Sequence, residues 1–121
     1  RVQKSVGSEI LQLVKARPAL EAIKSLEGPS LARLSALQAR LSGVASTLER
    51  VQVPADMRAI HDLLIGSWRF AETAIKGRYD AVRSSNVTTA WEASSSAAGA
   101  LLMLSRAQQE LRTLLEPPRL Q

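Results

Sequence analysis

Leucine and valine recur through residues 31–51 at steps of three and four. Leu31, Leu34, Leu37, Leu41, Val44, Leu48 and Val51 fall on one helical face, which predicts a helix over 30–51. A second stripe runs Met57, His61, Leu64, Trp68, Ala71, Ile75, Arg78 and Val82, widened by Ile60 and Leu63, and predicts a helix over 54–84. Pro54 at its first position and Asp56 in its first turn are both start signals. A third stripe of Ala90, Ser94, Ala97, Leu101, Leu104, Gln108, Leu111 and Leu115 predicts a helix over 86–115. That helix starts either with Asn86 as N-cap or with Thr89 and Glu92 forming a capping box, and Pro117 and Pro118 end it.

The first segment is less regular. Its apolar positions lie in 10–13 and 20–23, with Pro18 between them, so a helix over 8–27 either kinks there or gives way to a new one. Residues 1–7 are left to fray. Turn or cap residues punctuate the chain at 27–30 (EGPS), 52–56 (QVPAD) and 83–86 (RSSN). Such short turns make sequential helices antiparallel neighbours. The expected fold is therefore all-α: a single domain over 1–121, an up-down-up-down antiparallel four-helix bundle with the third and fourth helices longer than the first two.

Composition agrees with that pattern. Hydrophobic residues make up 45% and charged residues 22%, the profile of a folded chain, while aromatics at 3% are too few for a strand-rich core. With no cysteine, disulfide, thiolate and zinc–cysteine chemistry are excluded. The net charge of +5 allows nucleic acid, an anionic membrane or an acidic protein as partner. Twelve of the 16 basic residues are arginine, but they are spread along the chain and form no basic stripe, so nucleic acid is not the expected partner. No apolar run approaches the roughly 18 residues of a membrane span. The chain opens on Arg1, so an upstream segment is expected; an export signal, a trimmed piece or disordered residues would each account for it, and the leaning is extracytoplasmic.

The run SSSAAGA at 94–100 reads as a linker, a close-packed helix or a ligand approach. A hairpin turning at 85–86 pairs positions whose numbers sum to about 171, placing Ala97 opposite Ala74, Ser94 opposite Gly77 and Ala100 beside Ala71. Small residues then meet small residues, and the run becomes a helical contact strip. The same arithmetic about 52–53 sets Leu31 near Ile75, beyond which the last two helices continue alone for roughly 10 residues, or about 15 Å. Lys76, Gly77, Arg78, Tyr79, Val82, Arg83, Val87 and Trp91 ride on that overhang, and Lys76, Arg78, Tyr79, Arg83 and Trp91 form the candidate contact surface. Tyr79 and Trp91 either fold over each other to seal the hairpin's end or serve a partner, ligand or dimer.

Catalytic chemistry finds little support. HDLLIGS at 61–67 is similar to the H-x-L-K-G motif of phosphotransfer domains in its leucine two residues on. Leu64 stands where the lysine belongs, however, and the glycine comes one step late, so His61 reads as a packing residue. One histidine excludes a di-iron centre, carboxylates are scattered singly, and no metal, cofactor or catalytic residue is expected. Arg69, Glu72, Lys76, Asp80 and Arg83 alternate in sign and read as a solvated, salt-bridged face. NVT at 86–88 matches a glycosylation sequon, although a helix cap explains Asn86 better.

From VPADMRAIHDLL (53–64) through AWEASSSAAGALLMLSRAQQEL (90–111), the chain resembles helical domains of uncharacterised bacterial proteins. These carry a Pro-led helix followed by an Ala/Ser/Gly-rich one. The resemblance implies a bacterial origin, often in exported or envelope-associated settings, and brings no activity or cofactor. The expected function is a non-enzymatic interaction or scaffold module with a protein partner, self or other. The runner-up is a sensor-type bundle binding a small anion near Arg78 and Arg83.

Overall fold

The structure, a computed structural model, describes the backbone of residues 2–115 and the side chains from Ile10 onward. Among the described residues the fold is all-α. Its elements are α1 (Val2–Lys24), α2 (Leu31–Leu41), α3 (Val44–Glu49), a 3-10 turn (Ala55–Met57), α4 (Arg58–Ser84) and α5 (Val87–Leu115). Pro117 and Pro118, expected to end the last helix, lie outside the described residues.

Pro18 does not break α1. The proline is exposed, so the carbonyl that its missing N–H leaves free can be met by solvent, while Leu13, Leu20 and Ile23 on either side are fully buried. Burial on both flanks holds one helix together across the proline.

The leucine stripe over 30–51 is divided instead. α2 stops at Leu41 and α3 starts at Val44, with Gly43 between them in the left-handed region at φ 82°. Glycine takes that conformation without a side-chain clash, so the chain turns there. The spacing hides the break because Leu41, Ala45 and Leu48 are all buried on both sides of it. At the stripe's ends, Leu31 and Val51 are exposed.

Helix ends follow the side-chain chemistry. Ser30 caps α2 by accepting the Arg33 amide at 3.2 Å, and Asn86 caps α5 by accepting the Thr89 amide at 3.0 Å. Pro54 precedes the 3-10 turn rather than opening the α-helix, and Met57 is buried in that turn.

α4 is the central element and packs against α1, α2, α3 and α5, with its most extensive contact on α5. One continuous core joins Leu13, Leu20 and Ile23 to Leu34 and Leu37, to Leu64, Trp68 and Ile75, and to Leu104.

Candidate contact surface at the hairpin tip

The run at 94–100 lies inside α5, and Ser94, Ala97 and Ala100 are buried. A Cβ built on Gly77 would stand 3.2 Å from the Ala93 Cβ, and one on Gly99 would stand 3.2 Å from the Phe70 ring. One on Gly66 would meet the sulfur of Met103. Gly66, Phe70 and Gly77 of α4 thus meet Met103, Gly99 and Ala93 of α5. The contacts sit one or two residues from the register read from the sequence. Ser67 seals the seam: its buried hydroxyl donates to the Ala100 carbonyl at 2.8 Å.

α1 and the turn after it set where the hairpin becomes free. The Ser94 hydroxyl donates to the Lys24 carbonyl at 2.6 Å, and the Arg78 guanidinium donates to the Leu26 carbonyl at 3.4 Å. Leu26 takes a left-handed turn conformation at φ 63°. Gly28 lies against the Arg78 stem, where its own Cβ would come within 2.6 Å of Nε. The α1–α2 turn therefore reaches the level of Arg78 and Ser94. Only the last six or so residues of α4 and the first of α5 project beyond it, roughly 9 Å at helical rise. This overhang is shorter than the sequence arithmetic gave, because that arithmetic left out the turn.

The predicted surface residues divide accordingly. Arg78 is half-buried and turned back onto the α1–α2 turn. Tyr79 is half-buried against the core, with the Arg83 guanidinium 5.6 Å from its ring centroid. Lys76 pairs with Asp80 at 3.2 Å, both largely in solvent. Trp91 stands apart at 57% exposed, so it does not seal the hairpin's end.

Two valines are exposed at the tip as well. Val82 is 42% and Val87 69% exposed, and with Ala81 and Ala90 they line a depression of about 330 Å³ at the tip. The register arithmetic puts both valines on the overhang, although the spacing also puts Val82 on the core stripe. Val87, as the first residue of its helix, carried no periodic signal.

No helix among the described residues is long and apolar enough to cross a membrane, and no group of His, Cys, Asp or Glu there could hold a metal ion. Comparison with known protein families, with characterised proteins and with solved structures returned no match to the chain.

Proposed function

We propose that this chain is a non-enzymatic interaction or scaffold module, an up-down-up-down antiparallel bundle whose α4–α5 tip is the contact surface for a protein partner. The observation that carries the reading is apolar exposure on a projecting hairpin, where Val82 and Val87 line a shallow depression and Trp91, one helical turn after Val87, is exposed. Exposed apolar side chains gathered at one place favour protein contact, and tryptophan is among the residues that dominate interface energetics. The bundle topology draws support from α1, whose Arg17 meets Gln108 at 2.8 Å while Lys24 meets Ser94, so α1 and α5 also run oppositely. A bacterial, extracytoplasmic setting is part of the reading and rests on the resemblance alone.

The anion-binding alternative has less behind it. It needs the Arg78 and Arg83 guanidiniums to converge on a ligand, yet one is committed to the Leu26 carbonyl and the other lies over Tyr79.

Photo-crosslinking in the native host tests the proposal. A crosslinking amino acid placed at position 91 or 87 should give a discrete protein adduct, and the same group at the exposed Arg33 should give none. Adducts absent from the tip, or identical from position 33, would overturn it.

A further inference from the structure

At the other end of α4, a cleft of about 330 Å³ opens between its first two turns and the segment that follows α3. Arg58, His61, Asp62 and Ile65 recur at three- and four-residue spacing and so share one face of the helix. Val51 and Val53 approach from the opposite wall. His61 forms the floor: it is only 6% exposed, and its Nδ1 is sealed from solvent without a hydrogen-bond partner. A buried imidazole packed purely as a hydrophobe would ordinarily have that nitrogen satisfied within the protein. Here the ring lines the cleft while that nitrogen stays closed to it.

The charges around the opening are specific. Glu49 also lines the cleft, but its carboxylate is taken by Arg69. Arg58 and Asp62 are exposed and, among the described residues, neither has an ionic partner. Their i,i+4 spacing would allow them to pair with each other, yet they do not. The cleft thus offers one free cation, one free anion, an imidazole floor and an aliphatic wall. A ligand of single charge would satisfy one rim group and face the other as a like charge. A ligand carrying both charges satisfies both.

We propose that this cleft binds a small zwitterion of the free amino acid class with a short aliphatic side chain. Arg58 holds its carboxylate above the His61 ring. Asp62 holds its ammonium, and Val51, Val53 and Ile65 cover its side chain. The site is independent of the hairpin tip and would stand if the tip had no partner.

His61 is the chain's only histidine, so its ring signals in an NMR spectrum need no assignment. Titration with L-valine should shift them saturably. Isobutyrate, which lacks the ammonium, and isobutylamine, which lacks the carboxylate, should each bind at least tenfold more weakly. Arg58→Gln and Asp62→Asn should each weaken L-valine binding tenfold or more with an unchanged melting temperature, and Arg33→Gln should change neither. The absence of a saturable shift with L-valine, L-leucine and L-isoleucine would overturn the proposal. So would isobutyrate or isobutylamine binding as tightly as valine, or variants that bind as the parent does.

Discussion

Gly77 faces Ala93 so closely that an added methyl group would lie 3.2 Å from the Ala93 Cβ and 3.6 Å from its Cα. Both of those atoms belong to a helix that cannot step back without moving the whole seam. The Phe70 ring, equally near the Cβ position of Gly99, is 39% exposed and free to swing outward.

The two glycines should therefore respond differently to substitution. Gly99→Ala gains helix propensity, roughly 1 kcal/mol, and displaces only Phe70, so it should be neutral or stabilising. Gly77→Val pushes α5 away and should cost about 1–3 kcal/mol. Urea unfolding followed by circular dichroism measures both. Equal losses at the two positions would show that α4 and α5 are not packed as described.

The two buried serines bond to backbone carbonyls of different standing. The Ala100 carbonyl lies within α5 and keeps its helical partner, whereas the Lys24 carbonyl ends α1 and has no intrahelical partner. Ser94→Ala leaves that acceptor unsatisfied and should cost about 2 kcal/mol, while Ser67→Ala should cost about 1 kcal/mol or less. The same unfolding measurement ranks them, and the reverse order would refute the argument.

The α1–α2 turn depends on space at Gly28. Gly28→Ala forces the Arg78 guanidinium off the Leu26 carbonyl, and Arg78→Ala removes it outright. Either change should loosen the turn, so that amide hydrogen exchange at residues 25–28 speeds up in both variants and not in Arg33→Ala. Exchange that stays at the parent rate in Arg78→Ala would show that the contact holds nothing in place.

Much of this architecture could be read from single residues. The positions 31–51, 57–82 and 90–111 carried most of the core, and Asn86 announced the start of α5. The location of their turn gave the register of the last two helices to within one or two residues, but not that Gly66 and Gly99 would meet the larger Met103 and Phe70. What escaped the pattern had physical causes. Gly43 interrupts a helix without interrupting its apolar spacing, because the chain resumes with its buried face unchanged. Pro18 has the residue type of a helix breaker but sits on the exposed side, where its missing donor matters least. Arg78 falls on the apolar stripe of its own helix and on the overhang, and only the turn from a distant part of the chain makes it a clamp. The cleft at His61 depends in the same way on Gln52 and Val53, which come after the stripe and have no periodicity to follow.

The central claim is that Trp91 is displayed by the hairpin rather than used to build it. Equilibrium unfolding of Trp91→Ala tests this most directly, read together with the crosslink from Val87 in the same variant. Loss of an exposed side chain should leave stability within about 0.5 kcal/mol of the parent, while the Val87 adduct should disappear. A loss of 2 kcal/mol or more would contradict the account by making Trp91 part of the fold, and so would an adduct of undiminished yield.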